Sequence, residues 1–283
     1  MADINKIREE NELMLDVHDL KVTFKSNRKE AVRGIDFVMK PGQRVGLVGE
    51  SGSGKTVTAM AISGLIERYN VEIEGKIVFD GKDLRNCSRE ELRKVQGRGI
   101  GVVFQEPMTS LNPLMKIGQQ IEETLLLHTK RSKEERRALA LEAMEKVGLP
   151  EPEVTYDKYP HQLSGGQRQR AMIASAMVIL PKLLICDEPT TALDVRVQAQ
   201  ILKLLRSLSE EYGVGILLIS HDLRVIRQLC DRVDVMYKGK IVEEGPTERV
   251  FNNPQHEYTK QLISAIPSRA NVRGREEEEN RKK

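Results

Sequence analysis

The chain has 283 residues, enough for one large domain or two small ones, and 39% of them are hydrophobic, enough to build a buried core. Charged residues make up 31%, yet 45 Lys and Arg nearly cancel 42 Asp and Glu, and a formal net charge of +3 lacks the basic excess of a nucleic-acid binder. The charge-free stretch 171–181 is too short to cross a bilayer as a helix, which needs about 20 apolar residues, and residues 1–12 have no apolar segment followed by a cleavage site, so a cytoplasmic protein is expected.

Leu15–Phe24 and 31–39 alternate apolar and polar residues around a turn at 26–29, which predicts two half-buried strands. Arg44–Val48 is a short apolar run entering a glycine-rich turn, and 55–66 carries the small and apolar residues of a buried helix. Together they form a strand, loop and helix unit. Between 106 and 162 the character changes, and 130–147 mixes dense charge with Leu139, Met144 and Val147 at helical spacing, predicting a mostly helical insert. The apolar runs 183–186 and 216–219 suit central parallel strands covered on both faces, with a crossover helix over 195–210 between them.

A final hairpin is expected from 233–236 and 240–242 about Lys238-Gly239, with a break at Gly245-Pro246. Residues 246–267 retain Val250, Phe251, Leu262 and Ile263 for packing as helices, whereas 268–283 is almost wholly polar and is expected to be disordered. Cys87, Cys186 and Cys230 lie too far apart for the paired spacing that holds zinc or an iron-sulfur cluster, and read as reduced structural residues.

Gly49-Glu50-Ser51-Gly52-Ser53-Gly54-Lys55-Thr56 fits the eight-residue phosphate-binding loop, in the strand-before, helix-after context its mechanism needs. Glycines let the backbone fold around a phosphate chain with its N–H groups inward, and the helix N-terminus adds favourable dipole charge. Lys55 would reach the outer phosphates and Thr56 would ligate magnesium, and Thr58 is counted with Gly49, Ser51, Gly52, Ser53 and Gly54 among the nucleotide-binding residues. At 183–188 an apolar strand ends in two acids, at the sheet edge where ligands bind in open α/β folds. Asp187 would hold the magnesium shell and Glu188 would polarise the attacking water as general base. Taken alone, an acidic pair at a strand end is more often a helix cap.

Leu163-Ser164-Gly165-Gly166-Gln167 also fits a capping box opening a helix. Its place between the phosphate loop and the acidic strand tip is the order found in ABC ATPases, and most of the chain resembles that family. The resemblance implies an α/β fold: an ABC-type P-loop ATPase with a RecA-like core, an N-terminal antiparallel β subdomain and a helical signature subdomain. It implies an ATPase domain over 13–245, with core 13–105 and 165–245 and helical insert 106–164, followed by a helical extension over 246–267. By it, Gln105 is the Q-loop residue that touches magnesium and senses a transmembrane subunit. Ala192-Leu193-Asp194 is the D-loop, and His221 is the switch histidine at the γ-phosphate, forming a catalytic set with Lys55 and Glu188. Phe24 stands where relatives stack an aromatic, usually Tyr, on adenine, and a core Phe is the competing reading. Ser164, Gly165, Gly166 and Gln167 of one subunit would cover the ATP held by the loop of another in a head-to-tail dimer.

Residues 104–113, Tyr159-Pro160-His161-Gln162, Tyr258-Thr259 and Ala265-Ile266-Pro267 resemble the oligopeptide, dipeptide and nickel importer branch. That resemblance implies a different second ATP-binding subunit, two permeases, an external substrate-binding protein and a place on the cytoplasmic face of the membrane. Nickel or metal-chelate import is the alternative, and a soluble ABC ATPase acting on DNA or ribosomes the more distant one. No nucleic-acid partner is expected. ATP and Mg2+ are the implied cofactors; an iron-sulfur cluster is not expected, because no Cys follows Cys230. His256-Glu257-Tyr258-Thr259 departs from the His-Pro-Tyr-Thr of relatives, a change expected to be tolerated.

Overall fold

Along Leu15–Phe24 (β1) the inward positions shift from odd to even numbers: Leu15 and Val17 are buried, then Leu20 and Val22. The shift requires a bulge, and Asp19 supplies it with a φ of 44°, where the pairing register jumps. β1 pairs antiparallel on one side with Lys29–Met39 (β2) and on the other with Val71–Phe79 (β4), to which Lys82–Asp83 (β5) adds a short edge, giving the order β2-β1-β4-β5. The computed structural model describes residues 13–266 apart from Arg68 and Ala192, so the tail expected to be disordered, 268–283, lies outside the described residues.

A second sheet is built from Arg44–Val48 (β3), Ile100–Val103 (β6), Leu183–Asp187 (β7), Gly215–Ser220 (β8), Arg232–Tyr237 (β9) and Lys240–Pro246 (β10). Its order is β10-β9-β3-β8-β7-β6, parallel throughout except for the antiparallel β9–β10 hairpin. β7 and β8 are buried at every position, which explains why they read as unbroken apolar runs. Alternate residues feed two cores. Val48, Leu184, Cys186, Ile216, Leu218 and Val235 face the helices Gly165–Met177, Val195–Tyr212 and Leu223–Leu229. Val45, Leu47, Ile185, Leu217 and Ile219 face the helix Lys55–Ile62 and the antiparallel sheet.

Between β6 and the helix Gly165–Met177 the chain is helical: Pro107–Ser110, Ile117–His128, Lys133–Lys146, Pro152–Tyr156 and one 3-10 turn at Pro160–Gln162. Ser132 and Glu135 form a capping box at the start of Lys133–Lys146, so the charge-rich segment is held by its cap and by buried Ala140, Ala143 and Met144. The two sheets are tied together by Arg232, which is buried with Asp234 at 2.9 Å and Glu244 at 3.1 Å and also donates to the Val38 carbonyl on β2 at 3.3 Å.

One of the expected boundaries needs adjusting. The helix foreseen over 55–66 stops at Ile62. The final hairpin is present as β9–β10, and β9 also joins the parallel sheet beside β3. The foreseen break at Gly245-Pro246 is the end of β10, and the helix Thr247–Asn252 follows at once, with Glu257–Ser264 after it. Among the described residues no helix is long and apolar enough to cross a membrane.

Candidate active site

Strands β3, β8, β7 and β6 are neighbours in the parallel sheet, and each hands a different segment to one cleft at their carboxyl ends. β3 enters the loop 49–54, β8 leads to His221, β7 ends in Asp187 with Glu188 next, and β6 precedes Gln105. Strand ends and a helix N-terminus leave unpaired backbone groups at this edge, which is why ligands collect there in open α/β sheets. The cleft measures about 640 Å³, and Phe24, Lys29 and Ala31 at the β1–β2 hairpin form a further wall.

The loop lies tightly between the two sheets. A Cβ at Gly49 would collide with the Met236 carbonyl, and one at Gly54, where φ is 110°, with the Ala31 carbonyl. Only glycine leaves room for that approach. Gly239 N–H donates to the Ser53 carbonyl at 2.9 Å, anchoring the loop to the β9–β10 turn. Lys55 is buried, and its Nζ donates back to the loop, to the carbonyls of Gly49 at 2.7 Å and Glu50 at 2.9 Å. Burial pushes the Lys55 ammonium below its ordinary pKa, against the opposing charges of Glu188, Asp187 and Glu50.

Asp187 shifts in the other direction. Burial raises its pKa, a hydrogen bond with the Thr56 side chain lowers it, and the neighbouring Glu188 charge raises it again. Its Oδ1 is buried without a hydrogen-bond partner, as is Ser53 Oγ. Leaving a buried oxygen unpaired costs ~1–3 kcal/mol. Glu188 has a φ of 47°, a left-handed conformation that costs a non-glycine residue ~1–2 kcal/mol. Its N–H donates to the Ile219 carbonyl at 2.9 Å, and its carboxylate accepts from Thr191 Oγ1 at 2.8 Å. The same carboxylate lies 2.9 Å from His221 Nδ1 and 3.5 Å from Gln105 Nε2, so three strand ends converge on it.

Phe24, Gly49, Ser51, Gly52, Gly54, Lys55, Thr56, Gln105, Glu188 and His221 therefore face one cleft. Phe24 is part of the cleft wall and also packs against the core. Thr58 does not join them: it is fully buried, its Oγ1 donates to the Gly54 carbonyl at 2.9 Å, and Val57 faces the cleft instead. The expectation that Thr58 contacts nucleotide is corrected by that burial.

The signature residues also lie away from the cleft of their own chain. Ser164 Oγ accepts from the Gln167 N–H at 3.3 Å while Gln167 Oε1 accepts from the Ser164 N–H at 2.9 Å, the expected capping box. Asp194 caps the helix Val195–Tyr212, its Oδ1 accepting from the N–H groups of Arg196 and Val197. Ser164 and Gly165 are exposed, and Gly166 packs beside Val197, so the segment presents an outward ledge. Ala192 of the D-loop lies outside the described residues.

Lys29, Thr191 and Leu262 line the cleft without having been foreseen. Thr191 was within reach, being a hydroxyl three positions after Glu188; Leu262 carries no local signal. Among the described residues no three His, Cys, Asp or Glu cluster as a metal cage.

Comparison with known proteins agrees with this geometry. Residues 32–191 match the family described as ABC transporter, and residues 242–282 the one described as oligopeptide/dipeptide transporter, C-terminal region. The oligopeptide transport ATP-binding protein OppD of Bacillus subtilis is 48% identical over 258 residues, covering 90% of this chain and 72% of its own. The peptidoglycan transport ATP-binding protein YejF of Agrobacterium fabrum is 52% identical over 257 residues, covering 90% and 47%. Among solved structures, the ATP-binding cassette MJ0796, a dimer in a post-hydrolysis state bound to ADP and Pi, superposes with a TM-score of 0.75 at 31% identity, over 83% of this chain and 99% of that one. The cbiO1 protein of Clostridium perfringens, part of an ABC transporter complex, gives 0.75 at 29% identity, over 91% and 97%. With its loop, acidic strand tip and signature in the family's order and place, the chain belongs to the ABC transporter family as one of its ATP-hydrolysing subunits.

Proposed function

We propose that this subunit powers the import of di- or oligopeptides. The observation that carries the reading is the match of residues 242–282 to the C-terminal region of oligopeptide and dipeptide transporters, and relatives named for oligopeptide and peptide import support it.

In this reading the loop 49–54 wraps the phosphate chain of ATP with its N–H groups, and Phe24 packs on the adenine. Lys55 leaves its loop carbonyls for the outer phosphates. Thr56 and Asp187 would hold Mg2+, with Gln105 reaching the same ion. A hydroxyl beside a carboxylate whose Oδ1 has no partner fits the sparse protein ligation of magnesium when phosphates and waters complete the octahedron. When bound, the ion neutralises charge on the phosphates. Glu188 accepts a proton from the attacking water, and His221, which now rests on Glu188, turns to the γ-phosphate.

Ser164 and Gly165, exposed at a ledge outside their own cleft with half-buried Gly166 and Gln167 beside them, support a shared site in which a second ATP-binding subunit closes over the loop and supplies its signature. That partner is a different chain in our reading. Two permeases and an external binding protein complete the complex, with this subunit held peripherally at the cytoplasmic face of the membrane.

Proteoliposomes containing the permeases, both ATPases and the binding protein test the proposal. Uptake of a labelled oligopeptide should require MgATP and vanish with Lys55→Ala. Preferential uptake of a metal chelate over every peptide tried would overturn it.

A further inference from the structure

The chain returns to the nucleotide cleft from its far end. Glu243, buried on β10, accepts the N–H groups of Gln255 at 2.9 Å and His256 at 3.0 Å. His256 Nδ1 in turn accepts the N–H of Tyr258 at 3.1 Å. These bonds fix the entry to the helix Glu257–Ser264 and send Tyr258 inward, its ring centroid 4.1 Å from that of Tyr237. The Tyr258 hydroxyl then accepts the N–H of Glu50 at 2.8 Å. One turn further along, Leu262 reaches the cleft wall itself.

Both polar groups of the Glu50 peptide are thereby held: its N–H by Tyr258, and its carbonyl by Lys55 at 2.9 Å. Lys55 must give up that carbonyl to reach a phosphate, and when it does, Tyr258 still restrains the outer limb of the loop. A loop already held in its binding conformation loses less freedom when ligand arrives. Glu188 and His221 follow the ends of β7 and β8, and their side-chain contacts run to Thr191, Gln105 and each other, not to Tyr258.

We propose that Tyr258 is a positioning residue for ATP, acting through the Glu50 N–H, and that with Leu262 it makes the C-terminal helix a determinant of nucleotide affinity separate from the chemical step. The proposal rests on the reading of 49–56 as the ATP loop.

Tyr258→Phe tests it, because the ring keeps its stack on Tyr237 while the hydroxyl is removed. The Kd for MgATP is measured on the full chain by calorimetry, and KM and kcat on the assembled transporter. Losing one restraining hydrogen bond should raise Kd and KM about three- to tenfold, with kcat held within about twofold and Tm within about 2 °C. Leu262→Ala should raise Kd in the same direction. An unchanged Kd in Tyr258→Phe, a fall in kcat at constant KM, or a Kd change accompanied by a large loss of Tm would each overturn the positioning role. Lys55→Ala separates the two levels: if that variant still binds MgATP normally, the reading of the loop is what fails.

Discussion

Glu188→Gln is the substitution that most sharply tests the chemistry. The carboxylate has three side-chain neighbours, Thr191 Oγ1 at 2.8 Å, His221 Nδ1 at 2.9 Å and Gln105 Nε2 at 3.5 Å. Gln preserves the length of the side chain and one acceptor oxygen, so Thr191 keeps a partner and the local structure stands. What disappears is the basic oxygen. A positioned general base contributes about 10²- to 10⁴-fold, which at 1.36 kcal/mol per factor of ten raises the barrier by ~3–5 kcal/mol. Affinity should move the other way, since the Glu188 charge that acts on Lys55 and Asp187 also repels phosphates. Phosphate release by the assembled transporter at saturating MgATP should therefore fall at least a hundredfold while ATP stays bound and the closed dimer accumulates on gel filtration. Turnover within tenfold of wild type would refute the assignment of Glu188 as base.

Thr58→Val removes the hydroxyl bonded to the Gly54 carbonyl without changing volume, and should lower stability to urea by ~1 kcal/mol while leaving KM for ATP unchanged; a tenfold rise in KM would make Thr58 a nucleotide ligand after all. Arg232→Ala leaves fully buried Asp234 without the guanidinium it pairs with, and should cost ~3–5 kcal/mol in chemical unfolding. Two carboxylates share that guanidinium, and full burial pushes Asp234 up to about 7 from an ordinary 3.8. A carboxyl raised in the native state favours folding below the unfolded value and loses that contribution as pH climbs through about 7. The stability of the wild type relative to Asp234→Asn should accordingly fall between pH 5 and pH 8, as read from urea midpoints; a constant difference would refute the shift.

The parts of the site readable in the sequence are those whose chemistry needs contiguous residues. Arg44–Val48, the loop and the helix after it form such a unit, and the unbroken apolar runs of β7 and β8 announce central parallel strands. Thr58 shows how composition misleads where geometry decides: it is the same type of residue as Thr56, but two positions on a helix turn the side chain by about 200°, from cleft to core. Residues 67–103 gave no predicted strand or helix, for different reasons. β4 alternates charged and apolar positions but buries only Val71, Ile77 and Phe79, because Gly75 interrupts its inward set, and β6 has four residues, too few to show a period. The bulge at Asp19 is a register effect that appears only when β1 meets its partners. Glu257 in place of a proline makes sense once the helix Glu257–Ser264 is seen to begin there, because the first helical position favours either an acid or a proline.

The seat of the phosphate loop bears on the order in which the chain is made. Residues 49–54 rest on the carbonyls of Ala31 and Met236, on the N–H of Gly239, and on Tyr258, which lies 208 positions beyond Glu50. A ribosome adding 5–20 residues per second needs roughly 10–40 s to travel from the loop to that last support. During the interval the nascent loop has its glycines and its lysine but not its seat. Tight ATP binding thus becomes a property of the finished polypeptide, and a nascent or truncated chain lacking its last supports would compete poorly for nucleotide.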